Sequence, residues 1–151
     1  MSRYSLWFDE KACWGCKTCE VACKQECNLP YGVRLISVME DGPRIVDGNP
    51  FLVYRVNVCR HCDEPACAEV CPGGAITKRP DGIVVLDEKK CSGCQTCMDN
   101  CPYQAIDFDL GQGTARKCNL CHHRVEKGLI PACADNVCLS HCIHFVEKDE
   151  I

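Results

Sequence analysis

No apolar run in this sequence approaches the twenty or so residues that a membrane span requires. The most hydrophobic continuous piece, Ile83 to Leu86, is the length of a short strand. Basic stripes with interleaved aromatics are also missing: the 17 Lys and Arg are scattered and the formal charge is only −4, which argues against a nucleic-acid partner. The opening Met-Ser-Arg-Tyr-Ser-Leu-Trp-Phe-Asp-Glu has neither an apolar leader core nor a twin arginine, so a cytoplasmic protein is expected. The spacing C-x3-C-x2-C, which a radical-generating site would need, occurs nowhere, and no pairing of base and nucleophile suggests catalysis by the chain itself. The expected set of catalytic residues is therefore none.

Cysteine is what the chain has in excess, 18 in 151 residues. That share, about twelve per cent, exceeds the level that marks a cysteine scaffold. Ordinary core burial cannot be the main organiser. Disulfides are the plain reading of so many thiols, but without an export signal reduced thiols and bound metal are favoured.

Spacing identifies the metal. Residues 91–102 read Cys-Ser-Gly-Cys-Gln-Thr-Cys-Met-Asp-Asn-Cys-Pro. Cys91, Cys94 and Cys97 can hold three corners of one [4Fe-4S] cube, while Cys101, followed by Pro102, leaves toward a second. Zinc sites usually place two C-x2-C pairs a dozen or more residues apart, and here the third cysteine comes too soon. Four cores of 2+ charge held by sixteen thiolates would take the chain to about −12. Basic residues beside cysteines (Lys17, Lys24, Arg60, Lys90, Lys117) would offset part of that.

Four cysteine groups form an internal repeat. The first, Cys13-x2-Cys16-x2-Cys19-x3-Cys23, matches the 91–101 spacing but is followed by Lys24; it reads as a loop entering a helix around Thr18 to Glu26. Gly15 and Gly93 share a loop position where a missing Cβ lets backbone N–H groups turn toward sulfur, although an ordinary tight turn explains them equally. Residues 28–50 contain no cysteine and predict a surface hairpin, with Val33–Met39 and Arg44–Val46 as strands around Glu40-Asp-Gly-Pro43. Phe51–Val58 then reads as a strand that delivers Cys59-x2-Cys62-x4-Cys67-x3-Cys71-Pro72, where Asp63-Glu-Pro65 resembles a helix start. A hairpin through Pro80-Asp81-Gly82 follows. The fourth group is Cys118-x2-Cys121, Cys133, Cys138 and Cys142.

The exits align within the sequence. Cys71-Pro-Gly-Gly-Ala-Ile, Cys101-Pro-Tyr-Gln-Ala-Ile and Cys138-Leu-Ser-His-Cys-Ile match, which selects Cys138 as the ligand and puts Cys142 in the alanine position, although a tolerant loop from Cys133 permits either. By the same alignment Cys27 stands where Ala75 and Ala105 stand. Both spare cysteines read as small residues packing beside a cluster, with a role as alternative ligand left open. The five histidines (His61, His122, His123, His141, His144) fall in or beside the groups and read as hydrogen-bond donors or solvated rings, with thiolate replacement as the alternative. Trp14 and Tyr103 read as packing and water exclusion.

Residues 52–111 resemble bacterial two-cluster ferredoxins in every ligand position. The whole chain, with x4 in the second group and x11 in the fourth, resembles the four-cluster electron-transfer subunits that accompany molybdenum and tungsten pterin oxidoreductases. That resemblance implies an α+β fold of two nested ferredoxin-like modules, an outer one from 1–51 and 112–151 and an inner one from 52–111. It implies the ligand sets Cys13, Cys16, Cys19 with Cys138; Cys59, Cys62, Cys67 with Cys101; Cys91, Cys94, Cys97 with Cys71; and Cys118, Cys121, Cys133 with Cys23. Four [4Fe-4S] clusters follow, or three if one outer site is empty.

Two departures fall in the outer groups: x4 between Cys133 and Cys138, and no proline after Cys23 or Cys138. With nine residues after Cys142, the chain is similar to the short, anchorless small subunits that accompany tungsten enzymes of the aldehyde oxidoreductase and benzoyl-CoA reductase type. The implied partner is a larger tungsten- or molybdenum-pterin catalytic subunit, with a flavin subunit or ferredoxin as donor or acceptor. A subunit of a hydrogenase or formate-oxidising complex, a free polyferredoxin, and a zinc-dependent scaffold are the alternatives.

Overall fold

The computed structural model describes residues 4–147; the first three residues of the leader reading and the end of the short tail lie outside them. Twelve elements follow one another as β1 (Tyr4–Phe8), α1 (Thr18–Glu26), β2 (Ile36–Val46), β3 (Asn49–Val58), α2 (Ala66–Glu69), β4 (Ile76–Lys78), β5 (Val84–Leu86), α3 (Thr96–Asp99), β6 (Ile106–Asp109), β7 (Thr114–Lys117), α4 (His122–Val125) and β8 (Ile143–Glu147). The strands form four antiparallel pairs: β1 with β8, β2 with β3, β4 with β5, and β6 with β7. Three of these pairs are formed by neighbouring strands, and β1–β8 joins the first strand to the last.

The one long helix is local chemistry as much as packing. Lys17 takes a left-handed conformation (φ 60°) that stops the preceding loop, and Glu20 lies in the first turn where the helix dipole favours an anion. Cys19 and Cys23, one turn apart, bury the same face. Lys24 then ties down the segment after the helix, its Nζ donating to the carbonyls of Pro30 at 3.1 Å and Val33 at 2.8 Å.

The hairpin expected within 28–50 is built differently. Arg44–Val46 does not fold back on Val33–Met39; it continues the same strand past an irregularity between Asp41 and Arg44, and the chain reverses at Asp47 (φ 50°) and Gly48 (φ 81°). Two successive left-handed residues match the twist of the flanking strands, so Asp-Gly makes the tight turn and Gly-Pro makes the bulge. The near end of this hairpin buries Ile36, Val38, Val56 and Val58, while its far end leaves Ile45 and Phe51 exposed.

Two buried cores result. One combines Val33, Leu35, Ile36, Val38, Val56, Val58 and Ile143 with Cys19, Cys23, Cys133, Cys138 and Cys142; the other combines Ile76, Val84, Ile106 and Ala115 with Cys97. Cys67, Cys71, Cys91 and Cys101 pack against the second. Polar ties connect them: Arg34 N–H donates to Asp107 Oδ2 at 2.8 Å, and Arg116 Nη2 donates to the Cys27 carbonyl at 3.3 Å.

Candidate metal centres

Each cysteine group begins with one local device. The residue two after the first cysteine is left-handed in all four groups: Gly15 (69°), His61 (45°), Gly93 (75°) and Leu120 (53°). The turn aims its N–H back at sulfur, with His61 N–H donating to Cys59 Sγ at 3.4 Å and Leu120 N–H to Cys118 Sγ at 3.3 Å. Glycine serves twice because something else occupies the space. A Cβ on Gly15 would lie 2.3 Å from the Tyr54 ring, and one on Gly93 would lie 2.3 Å from the Gly113 carbonyl oxygen. Where that space is available, a buried side chain fills it, His61 in one case and Leu120 in the other.

The exits repeat as well. After Cys71, Cys101 and Cys138 the third residue on is left-handed (Gly74, Gln104, His141), and its N–H donates to the exit carbonyl at 3.2, 3.1 and 3.0 Å. The fourth residue's N–H donates to the exit sulfur: Ala75 to Cys71 at 3.2 Å, Ala105 to Cys101 at 3.5 Å and Cys142 to Cys138 at 3.4 Å. A strand starts on the next residue in each case. Cys142 thus occupies the alanine position, as the exit alignment expects. Cys27 does not. Helix α1 carries straight through Cys23, so the Cys27 N–H donates to the Cys23 carbonyl at 3.0 Å as an ordinary helical bond.

Three cavities of similar size gather the thiols. Cys59, Cys62, Cys67 and Cys101 line one of about 370 Å³, walled by Pro65, Ala66, Val84, Pro102 and Ile106. Cys71, Cys91, Cys94 and Cys97 line another of about 340 Å³. A third, about 330 Å³, is lined by five: Cys23, Cys27, Cys118, Cys121 and Cys133. Cys13, Cys16, Cys19 and Cys138 form a fourth neighbourhood, in which the Leu139 N–H and Cys138 face Cys16, and Cys13 and Cys138 face Cys19. Thr18 pins it, its hydroxyl donating to the Val137 carbonyl at 2.9 Å. Among the described residues no three His, Cys, Asp or Glu side chains converge as a single ion would require. In three of the sets the sulfurs stand around a volume, which suits a multi-iron cube.

Electrostatics point the same way. Burial pushes the Cys67 thiol up to about 11 and those of Cys19 and Cys133 up to about 12, so free thiolates are costly here and a cationic iron core offsets the cost. Cys16 and Cys94 differ. Both are exposed, and hydrogen bonding with the side chain and backbone of Thr18 (Oγ1 3.2 Å from Cys16 Sγ) and of Thr96 (its hydroxyl donating to Cys94 Sγ at 3.4 Å) holds their thiols below the usual range.

With this geometry in view, sequence comparison is decisive. Residues 50–148 match a family model described as a 4Fe-4S dicluster domain. This protein belongs to the 4Fe-4S dicluster family. Within it, the sequence is 38% identical over 159 residues to the B chain of anaerobic dimethyl sulfoxide reductase from Haemophilus influenzae, covering 100% of this chain and 77% of that protein. It is 37% identical to the corresponding B chain from Escherichia coli (99% of this chain, 76% of that one). The B subunit of tetrathionate reductase from Salmonella typhimurium is 40% identical over 139 residues, covering 89% of this chain and 54% of that protein. This 4Fe-4S dicluster protein is therefore a homologue of the iron-sulfur B chains of reductase complexes. Among its described residues no helix is long and apolar enough to cross a membrane.

Several side-chain roles differ from expectation. Trp14 is 65% exposed and seals nothing; Tyr54, on β3, covers the loop instead by packing on Gly15. Tyr103 does line the first cavity, with the Arg60 guanidinium 5.6 Å from its ring centroid. Four of the five histidines make structural contacts, in line with the hydrogen-bonding reading: His61 Nδ1 accepts the Val84 N–H at 3.0 Å, His123 Nε2 lies 2.6 Å from Glu26, His122 lies 3.4 Å from Glu126, and the His144 ring lies tilted against Trp7. Lys117 carries more than surface charge. It is 5% exposed, lines the first cavity, and donates to the carbonyls of Val84 at 2.5 Å and Cys118 at 2.7 Å. That places an ammonium between the Cys59 set and the Cys118 set. An alternating strand ending in Lys-Cys carries no signal of such burial.

Proposed function

We propose that this chain holds four [4Fe-4S] clusters in two nested modules and relays single electrons to or from a larger molybdenum-type pterin catalytic subunit of a reductase. The carrying observation is the way thiols assemble: the first three cysteines of one group meet the exit cysteine of another, Cys101 with Cys59, Cys62 and Cys67, and Cys71 with Cys91, Cys94 and Cys97. The same rule gives Cys13, Cys16, Cys19 with Cys138, and Cys118, Cys121, Cys133 with Cys23. Clusters supply one-electron redox chemistry; the protein supplies thiolates, N–H donors and apolar walls that exclude water.

Outer and inner modules are 1–51 with 112–151, and 52–111. The β1–β8 pairing supports this division, and the two buried cores follow it except at Val56 and Val58, which join the outer core, and Ala115, which joins the inner one. The exposed sulfurs, Cys16 and Cys94, belong to different sets. They mark the two ends at which electrons would enter and leave. The Cys59 and Cys118 sets, flanking Lys117, form the middle.

Relatives named as B chains of dimethyl sulfoxide and tetrathionate reductases favour a reductase partner over the tungsten aldehyde oxidoreductase or benzoyl-CoA reductase type. Cluster assembly in the cytoplasm, where thiols stay reduced, belongs to the proposal. Anaerobic co-purification with iron, sulfide and metal analysis tests it: about sixteen irons and sulfides per chain and a co-eluting molybdenum protein are expected. Loaded protein that always elutes alone would overturn the subunit reading in favour of a free polyferredoxin.

A further inference from the structure

Three exit sulfurs receive the same backbone hydrogen bond, but only one has a second sulfur beside it. At Cys71 and Cys101 the donor residue is alanine, Ala75 or Ala105, whose methyl adds no polar contact. At Cys138 the donor residue is Cys142, 1% exposed, with its Sγ 3.5 Å from Cys138 Sγ. Ser140 Oγ stands 3.6 Å from the same sulfur. The choice of donor follows from chemistry. A cysteine bound to iron is a thiolate with no proton to give, so in the loaded protein the S–H must belong to Cys142 and the acceptor must be Cys138.

We propose that Cys142 is a positioning residue whose S–H···S hydrogen bond to Cys138 raises the reduction potential of the cluster held by Cys13, Cys16, Cys19 and Cys138. Hydrogen bonds to ligand sulfur withdraw charge and favour the reduced, more negative cluster. Three features set this bond apart from the inner exits, whereas at the helical exit Cys27 is within side-chain hydrogen-bond reach of Cys23 and of Cys121 as well. The exit turn fixes Cys142 through its own N–H at 3.4 Å, burial keeps water from competing for Cys138, and the inner exits offer only a methyl at the same place. This rests on the four-cluster reading and adds what that reading lacks, a reason for the potentials of otherwise similar sites to differ.

The test is potentiometric titration with electron paramagnetic resonance on the wild type, Cys142→Ala and Cys142→Ser, with iron counted in each. Cys142→Ala reproduces the inner exits and should keep about sixteen irons while one cluster's midpoint falls and the others stay. Cys142→Ser, with a hydroxyl donor, should hold that midpoint at or above the wild-type value. Full iron content with no midpoint change in Cys142→Ala overturns the inference and leaves the four-cluster reading intact. Loss of about four irons in Cys142→Ala also overturns it, by making Cys142 a ligand. A wild type that cannot be loaded to about sixteen irons sinks the four-cluster reading first.

Discussion

Cys138 and Cys23 are both exit cysteines of the outer groups, neither is followed by proline, and they sit in opposite backbone settings. Cys138 copies the inner exits: a left-handed residue three on, an N–H to sulfur four on, a strand five on. Cys23 sits inside a nine-residue helix with none of these. Proline is therefore not what makes an exit turn. The strand that follows does, because Ile76, Ile106 and Ile143 are each pulled into a core and the chain must bend within four residues to deliver them. No strand follows Cys23 until Ile36, and the helix is free to continue.

The comparison breaks most visibly if the wrong thiol is removed. Cys138→Ala should cost one cluster, about four of sixteen irons, and interrupt electron transfer through the exposed Cys16 end, as iron analysis and single-turnover reoxidation would show. Cys27→Ala should keep all four, although Cys27 shares a cavity with Cys23; loss of iron there would make the helix exit ambiguous in a way the strand exits are not.

Next comes the buried charge. Lys117→Met should lower the midpoints of the two clusters in the middle of the chain and leave the Cys16 and Cys94 ends nearly unchanged, read by redox titration, with Lys117→Arg retaining the wild-type values.

Smaller effects separate the two glycine loops. Both Gly15→Ala and Gly93→Ala force a left-handed alanine, on the order of 1–3 kcal/mol. Gly93→Ala should be the worse of the two in thermal unfolding of the loaded protein, because its new methyl meets the Gly113 backbone, whereas at Gly15 it meets a side chain that can swing away. Smallest is an acid effect at α1. The His123 and Arg124 side chains hold the Glu26 carboxyl below its usual range. Stability from this group is present above the ordinary glutamate value and lost as pH falls through the lowered one, so Glu26→Gln should flatten the acid limb of a stability profile.

The cysteine groups that gather in the structure were legible from their spacing, and helix Thr18–Glu26 from the same stretch. The exit alignment carried over to Cys142 because turn and strand recur there, and failed at Cys27 because no strand follows to force the turn. Gly42-Pro43 reads as a turn in any local window; only the cross-strand partners Val53 and Phe51 show that it bulges. Tyr54 over Gly15 and Lys117 between two cavities are contacts between groups distant in sequence, and no spacing rule encodes them.

Strand β1 pairs with β8 from Tyr4↔Glu147 to Phe8↔Ile143, joining the first and last described strands. During synthesis these partners emerge from the ribosome almost a whole chain apart, whereas Cys59 to Cys101 emerge together. In the proposed nested arrangement the inner pair of cubes could be inserted while the C-terminal third is still being made, and the outer pair would have to wait. Cys13, Cys16 and Cys19 would meanwhile wait for Cys138, the last ligand proposed for their set. On the four-cluster proposal, maturation would proceed from the inside outward, and a ribosome that stalled before Cys138 would leave a half-wired protein.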